Sequence, residues 1–455
     1  MKILFCNPKN AQGTTHSRKG MYVPLGILSI ATVLKERFGN AIDITVYDED
    51  VEDAEIDSFG SFDIIGFYST TFNYRTCVEY AAKAKNHGKI TLLGGPHASI
   101  LADNIMRNQE CFDFIVRFES EVPLLRLIER ALNKNMNNLS DIPNLVYRDN
   151  GKTVSNKHLY ENNLENLPIP SRDFVKMDLY MSNFMKIYPD RSSIRQGSLY
   201  SSKGCSWRDK TGGCVFCARL EKGVKFRNIH QIWTEIQMLR DRYNVNSIWD
   251  ISDDNLNNIG WFKNFVKSRP IDCKDLNFFI YSRVNFIKEE LMPYLKELNV
   301  EEVFLGVESG DDAILRGSFK GQTVRTILSA VEVLRENKIK YFPSFILGLP
   351  GETEQSMANT HKLCEQMAEL GGLDRLGCTI LQPIPGSKAY DKILTETEFG
   401  KELSSMDDIN LSYLERYWID NFTKVDHETA VKYRDKINKT MTGYQVFGGE
   451  DTKKN

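Results

Sequence analysis

The chain reads as an α/β protein built from a doubly wound parallel sheet, then a partial (β/α)6 barrel of the TIM type, then a helical tail. Short apolar runs alternate with stretches of helical periodicity twice, once on each side of the Pro-punctuated connector Leu167-Pro168-Ile169-Pro170-Ser171-Arg172-Asp173. The second alternation holds six strand-helix units, fewer than the eight of a closed barrel. Composition agrees with this class. A chain of 455 residues with 26% charged residues and a net charge of −3 has the length for several packed cores. No basic excess points to nucleic acid, and no apolar run reaches membrane-spanning length. The first strand begins at Lys2, which leaves no room for a signal peptide, so a cytoplasmic protein with reduced cysteines is expected.

Residues 1–133 form the first expected domain. Lys2 to Asn7 is an apolar run ending in a polar turn, as in a buried parallel strand, and Pro24 to Phe38 carries helical periodicity. Strands are expected at Ile42 to Tyr47, Ile64 to Tyr68, Ile90 to Leu93 and Phe114 to Val116, with helices at Asn73 to His87 and Val122 to Ala131. Open sheets of this kind bind ligands at the carboxyl ends of their strands. Those ends carry Asn7-Pro8, Ser69-Thr70-Thr71, Gly94-Gly95-Pro96-His97 and Glu119-Ser120-Glu121, small or polar residues that let a large flat ligand approach. Ordinary turn chemistry also favours small residues there.

Residues 134–190 read as a linker containing a hairpin, Asn144 to Val154, that turns at Asp149-Asn150-Gly151. Residues 191–390 carry the second alternation. Strands are expected at Ser198 to Ser202, Ser247 to Ile251, Asn277 to Tyr281, Glu302 to Val307, Tyr341 to Leu347 and Arg375 to Leu381. Helices are expected at about Ile229 to Tyr243, Trp261 to Lys267, Lys288 to Leu298, Thr323 to Asn337 and Thr353 to Leu370. Each strand end delivers polar or glycine-rich residues to one rim: Ser252-Asp253-Asp254, Ser282-Arg283, Glu308-Ser309-Gly310, Gly348-Leu349-Pro350-Gly351-Glu352 and Gln382-Pro383. Residues 391–455 read as a helical extension. Tyr413, Tyr417 and Trp418 in it fit core packing better than a substrate pocket.

The loop after the first barrel strand places Cys205, Cys214 and Cys217 within thirteen residues. Cys214 and Cys217 form a C-x-x-C pair, and Thr211-Gly212-Gly213 gives the backbone freedom to bring Cys205 round. Three thiolates with the fourth position open suit an iron-sulfur cube with one iron left free; a zinc site completed by a distant residue is the alternative.

The cysteine loop with Phe216 before its last Cys, the Asp-Asp, Glu-Ser-Gly and Gly-Leu-Pro-Gly-Glu segments and their order resemble the radical S-adenosylmethionine (SAM) superfamily. The strand, Pro-Leu-Gly helix and Gly-Gly-Pro-His landmarks of residues 1–133 resemble the Rossmann-like cobalamin-binding domain that precedes many of its members. The resemblance implies a [4Fe-4S] cluster on Cys205, Cys214 and Cys217, with SAM on the open iron and cleaved to a 5′-deoxyadenosyl radical. It implies SAM contacts from Phe216, Ser252, Asp253, Arg283, Glu308, Gly348 and Gly351. For cobalamin it implies Asn7, Ser69, Thr70, Gly94, Gly95, His97 and Glu119. The expected activity is methyl transfer to an unactivated carbon or phosphorus centre of a small-molecule or peptide substrate. A low-potential electron donor such as flavodoxin or ferredoxin would supply the electron. Radical dehydration, epimerisation, cyclisation or ring contraction is the alternative, ahead of a methylthiotransferase using Cys6, Cys77 and Cys111 or a non-catalytic zinc protein. No residue is marked as a catalytic acid or base.

Three departures from the family pattern stand out. The cobalt-binding D-x-H-x-x-G is missing, Thr14-Thr15-His16-Ser17-Arg18-Lys19-Gly20 standing in its place. Arg117-Phe118-Glu119-Ser120-Glu121 replaces a Gly-Glu-Gly-Glu turn. The usual C-x-x-x-C-x-x-C is lengthened by the segment Ser206 to Gly213, whose Trp207, Arg208 and Lys210 are expected to project toward the cobalamin domain, a redox partner or substrate.

Overall fold

The computed structural model describes residues 1–10, 20–52, 56–160 and 164–440, without the side chains of 56–58. Thr14 to Lys19, and His16 with them, therefore lie outside the described residues.

One compact unit takes the chain up to Ile187 and then receives a returning segment, Asp391–Asn410. Its elements are β1 (Lys2–Asn7), α1 (Leu25–Phe38), β2 (Asp43–Asp48), β3 (Ile64–Tyr68), α2 (Tyr74–Asn86), β4 (Ile90–Gly94), α3 (Pro96–Asn108), β5 (Phe114–Val116), α4 (Glu121–Leu132), β6 (Leu145–Asp149), β7 (Lys152–Ser155) and α5 (Met177–Ile187). They build one sheet in the order β2-β1-β3-β4-β5-β6-β7, parallel as far as β5. Ile3 to Cys6 and Ile64 to Phe67 are buried, as strands covered on both faces must be. The helices pack through stripes at helical spacing, such as Leu28, Ala31 and Leu34 of α1. The strand order reverses between β1 and β3, and the carboxyl ends there form a crevice of the kind open α/β sheets use for ligands.

Two differences from the sequence expectation have plain causes. Helix α3 was not expected, because Gly95-Pro96 reads as turn punctuation; Pro96 instead opens the helix, where its missing N–H costs nothing. The hairpin placed in the linker is β6 and β7, and β6 pairs antiparallel with β5, so it extends the first sheet. Turn chemistry reveals a hairpin but not the edge it docks on.

The second unit comprises Tyr188–Tyr390 and the chain from Leu411 onward. It contains β8 (Gln196–Leu199), β9 (Ser202–Lys203), α6 (Ser206–Thr211), β10 (Lys225–Phe226), α7 (Ile229–Tyr243), β11 (Ser247–Asp250), α8 (Ile259–Lys267), β12 (Asn277–Arg283), α9 (Met292–Glu297), β13 (Val300–Glu308), α10 (Asp312–Gly317), α11 (Val324–Glu336), β14 (Lys340–Leu347), α12 (Glu354–Leu370) and β15 (Gly377–Ile380). Helices α13 (Lys388–Glu396) and α14 (Phe399–Leu403) lead into the segment that joins the first unit, and α15 (Leu411–Phe422) and α16 (His427–Asn438) follow. The strands run β8-β11-β12-β13-β14-β15, all parallel, with β8 and β15 as free ends, the topology of a barrel wound part-way. Inward-facing rings fill its lower storeys in a ladder. Trp249 and Phe279 lie 4.3 Å apart, Tyr281 and Phe304 4.9 Å, Phe304 and Phe342 5.0 Å. The buried guanidinium of Arg375, stacked on Tyr188, Phe279 and Phe342 and paired with Glu302, belongs to the same interior. In barrels of this type the chemistry sits at the other end, the carboxyl rim.

Candidate functional site at the carboxyl rim of the barrel

The cysteine loop leaves β9 through Gly204, at φ +93°, where a Cβ would stand 2.1 Å from the Gly223 carbonyl; only glycine fits. Cys205 precedes α6, and Gly212 in the left-handed region closes that helix. The segment Ser206 to Gly213 is therefore mainly a helical turn, from which Trp207 and Arg208 turn back onto their own unit while Lys210 stays exposed. The Trp207 indole donates to the Phe319 carbonyl at 2.7 Å, and Arg208 bonds the Glu221 carbonyl. Cys214 and Cys217 sit on a tight turn in which the Cys217 N–H donates to the Cys214 carbonyl at 3.2 Å. The Val215 amide donates to Ser318 at 3.1 Å and the Val215 carbonyl accepts from Ala389 at 3.0 Å, so the turn is pinned from two sides.

The donor set can be weighed chemically. All three thiols are free, Cys214 buried and the other two half-buried. Burial pushes the Cys214 thiol up, while the Lys320 ammonium and the Arg283 guanidinium oppose it; Arg283 Nη1 lies 4.0 Å from Cys214 Sγ. Neighbouring cations of this kind favour the thiolate that a metal requires. Among the described residues no three His, Cys, Asp or Glu side chains converge on a point that would hold one ion. His230 is exposed at the start of α7. Cys6 and Cys77 are fully buried in β1 and α2, where burial pushes both thiols up. Three free thiols on one loop, with two cations beside Cys214, are a donor set of the kind an iron-sulfur cube with one open iron takes.

The Asp-Asp segment after β11 clamps this loop. Ser252 Oγ donates to Asp250 at 2.7 Å and accepts from the Ser201 and Ser202 amides at 3.0 and 2.9 Å. Asp253 accepts from the Gly204 amide at 2.9 Å and pairs with Arg219 at 2.9 Å, one partner on each side of the three cysteines. Asn257, which sequence reading did not single out, accepts from the Ser206 amide at 3.0 Å and donates to the Gly204 carbonyl at 2.9 Å. Ser252 and Asp253 are engaged in holding the loop.

Glu308 stands at a bulge where the β13–β14 register shifts, with φ at +68°, a conformation a residue with a Cβ holds only under constraint. Its Oε1 accepts from Lys320 at 2.8 Å and its buried Oε2 has no partner. Asp254, likewise buried, keeps Oδ2 without a partner, and burial pushes its carboxyl up to about 7 against the pull of the Leu256 amide, Arg283 and Lys320. Arg283 also bonds the Lys320 carbonyl and stacks 4.7 Å from the Trp207 ring. A buried carboxylate oxygen without a donor is costly, and two of them beside the thiols suit a ligand carrying N–H or O–H donors. Asp254 stands in the strand-end segment read from the sequence, without a role of its own there, and Lys320 escaped sequence reading because only the folded return from α10 brings it to Glu308. Phe216 is half-buried, with the Lys320 ammonium 5.8 Å from its ring centre. The Gly348 amide donates to Glu352 and its carbonyl accepts from the Trp418 indole at 2.7 Å, so its polar backbone is used within the unit. Gly351 is exposed and open on its Cα side. Trp418 is fully buried, as core packing predicts, whereas Tyr413 is half exposed.

At the rim of the first sheet, Asn7 donates to Asp48 at 2.7 Å and the Thr70 amide donates to Asn73 at 2.7 Å. Gly95, at φ +99°, leaves no room for a Cβ, which would lie 2.5 Å from the Ser69 carbonyl. Ser69 is buried and its amide donates to the Gly94 carbonyl at 2.8 Å; Gly94 and Glu119 are half-buried. Phe118 takes φ +57°, at the position of the first glycine in the family turn, and stacks on His158 with ring centres 4.1 Å apart. His97 is turned inward. Its Nδ1 pairs with Thr71 Oγ1 at 3.1 Å, its Nε2 with the Asp407 carbonyl at 2.9 Å, and burial lowers it to about 4. No ring nitrogen of His97 remains for cobalt. The rim still fits a flat ligand through the small residues Ser69, Thr70 and Gly94 at and beside the switch point.

The sequence profiles of two families match the chain, the B12 binding domain over residues 12–128 and the radical SAM superfamily over 199–364. Over those residues the chain carries a B12 binding domain followed by a radical SAM domain. An uncharacterised methyltransferase of Pyrococcus horikoshii is 28% identical over 418 residues, covering 86% of this chain and 83% of its own. Among solved structures, the radical SAM methyltransferase TsrM of Kitasatospora setae, with cobalamin and a [4Fe-4S] cluster bound, superposes with a TM-score of 0.69 at 15% identity, covering 87% of this chain and 78% of its own. OxsB, a cobalamin-dependent SAM radical enzyme, gives 0.64 at 17% identity, covering 88% of this chain and 56% of its own. These structural likenesses speak for the fold: a Rossmann-like sheet, then a partial barrel. No described helix is long and apolar enough to cross a membrane.

Proposed function

We propose that the chain is a cobalamin-dependent radical SAM methyltransferase acting on an unactivated carbon or phosphorus centre of a small molecule or peptide. The observation that carries this reading is the pairing of a B12 binding domain with a barrel rim holding three free thiols beside partnerless carboxylate oxygens. When bound, the cluster and SAM supply the radical and cobalamin carries the methyl group. The chain's own residues bind and orient. Cys205, Cys214 and Cys217 hold the cluster; Asp253, Ser252 and Asn257 fix the loop that presents them; Arg283 and Lys320 compensate the thiolate charge. Glu308 Oε2 and Asp254 Oδ2 accept from the amino or hydroxyl groups of SAM, Phe216 packs at its edge, and Gly351 lets it approach the rim. Asn7, Ser69, Thr70, Gly94, Gly95 and Glu119 form the cobalamin rim.

A radical reaction without methyl transfer is the second reading, which the missing D-x-H-x-x-G keeps open without selecting it. Anaerobic protein reconstituted with iron, sulfide and a cobalamin separates the two. Retention of corrin through gel filtration together with formation of S-adenosylhomocysteine is the expected outcome. 5′-Deoxyadenosine without any methylated product would transfer the chain to the second reading.

A further inference from the structure

The helical turn inside the cysteine loop supports a surface patch that the binding site does not use. Phe319 is 52% exposed, and its carbonyl anchors the Trp207 indole. The Lys388 ammonium lies 4.8 Å from the Phe319 ring centre and donates to the Gly213 carbonyl at 2.9 Å. Lys210 is exposed on α6. Beneath the patch, Arg283 spans from the Trp207 ring, at 4.7 Å, to Cys214 Sγ, at 4.0 Å. Beside it, past Gly321, a groove of about 720 Å³ opens between residues 284–289 and α11, with Lys288 and Arg316 on its walls against the single carboxylate of Glu289.

A lone exposed phenylalanine is ordinary. Here it carries a cation on its face, and its backbone carbonyl holds the Trp207 indole, whose ring leads through Arg283 to Cys214. An apolar centre with a charged rim is the anatomy of a transient protein interface, and a basic rim selects an acidic partner and speeds its encounter.

We propose that Phe319, Lys388 and Lys210 form the docking surface for an acidic, low-potential flavodoxin-type electron donor, with Trp207 and Arg283 as the contact path to Cys214. The assignment rests on the reading of Cys205, Cys214 and Cys217 as cluster ligands. In each encounter the donor's reduced flavin is oxidised by one electron and the cluster is reduced by one, with no atom transferred. Trp207 and Arg283 stay in their closed-shell states and act through proximity.

The test uses the reconstituted, cluster-loaded protein and a reduced bacterial flavodoxin, with Lys388→Glu, Lys210→Glu and Phe319→Ser variants. Two quantities are measured: flavodoxin affinity as a function of salt, and the rate at which the cluster's visible absorbance bleaches with flavodoxin or with dithionite. Each charge reversal should weaken flavodoxin binding on the order of tenfold at low ionic strength, with the difference shrinking as salt screens it. Phe319→Ser should weaken binding at every salt concentration, and bleaching by dithionite should stay at the wild-type rate in all three. Lys210→Glu and Phe319→Ser guard against a disturbed loop in Lys388→Glu, whose ammonium touches Gly213. Flavodoxin affinity indifferent to all three variants overturns the docking surface, as does a wild-type self-dimer that Phe319→Ser abolishes. Failure of the wild-type protein to take up a cluster defeats the proposed function instead, and is told apart by iron and sulfide analysis before any flavodoxin is added.

Discussion

At the barrel rim, Glu308 Oε2 and Asp254 Oδ2 are buried without a donor, whereas at the rim of the first sheet Asn7, Thr70 and His97 have their polar groups taken up within their own unit. Both rims lie at the carboxyl ends of parallel strands, yet their energetic states differ. Partnerless buried oxygens raise the energy of the unliganded barrel, and a ligand with donors in the right places relieves it. The first-sheet rim also keeps a buried partnerless atom, Ser69 Oγ, but it is a neutral hydroxyl among small residues, which suits broad contact with a flat face more than charge pairing. The barrel is built to recognise charge and the first sheet to recognise shape.

The sharpest way to break this comparison is to remove a thiol. Cys217→Ala should abolish SAM cleavage and strip iron and sulfide from the anaerobically purified protein, whereas Cys77→Ala, in the first unit, should leave both contents unchanged. Equal iron loss in the two variants would place a metal in the first unit and end the distinction. Next in size is Glu308→Gln. It leaves the Lys320 ammonium buried beside a neutral amide, and breaking a buried pair of this kind costs roughly 3–5 kcal/mol. Urea unfolding should show that loss, and equilibrium dialysis should show SAM affinity falling at least tenfold; unchanged SAM affinity would remove Glu308 from the ligand site.

His97 supplies a pH test on the other rim. Its folded-state value, about 4, lies below the ordinary 6.5, so the native state holds it neutral while the unfolded chain takes up a proton first. The stability this represents is complete above pH 6.5, is lost as pH falls toward 4, and amounts to as much as about 3 kcal/mol. His97→Gln should flatten that part of the stability-pH curve and leave corrin retention at the wild-type level. Corrin lost in parallel with unchanged stability would mean that the imidazole serves the cofactor after all.

Sequence reading went further for the barrel than for the contacts at its rim. The six barrel strands and the cysteine loop are legible because period-2 apolar runs and C-x-x-C spacing are local. Helix α3 is obscured by Gly95-Pro96, and the docking of the hairpin on β5 has no local signature. Ser252 and Asp253 are correctly placed at a strand end, but what they hold, the Ser201, Ser202 and Gly204 amides, depends on how the loop folds back. The same holds for Lys320, twelve residues from Glu308 yet paired with it, and for Asp407, whose carboxylate accepts from Tyr74, Asn108 and Gln109 more than three hundred residues back for Tyr74 and nearly so for the others. The family's turn glycine becomes intelligible only in the structure, where Phe118 keeps the left-handed backbone with its ring stacked on His158.

Gly95 gives the smallest effect and separates shape from charge most cleanly. A methyl group there meets the Ser69 backbone at 2.5 Å and must adopt φ +99°, so Gly95→Ala forces the Ser69 strand end and the start of α3 apart. The expected cost is about 2 kcal/mol in thermal or urea unfolding. Because the first rim works through contact over a surface, this small displacement should also weaken corrin retention while leaving iron content and SAM binding untouched. If corrin binding survives the substitution, the flat ligand does not rest on the Ser69–Gly95 contact, and the recognition of shape must be sought along β1, at Asn7 and Asp48.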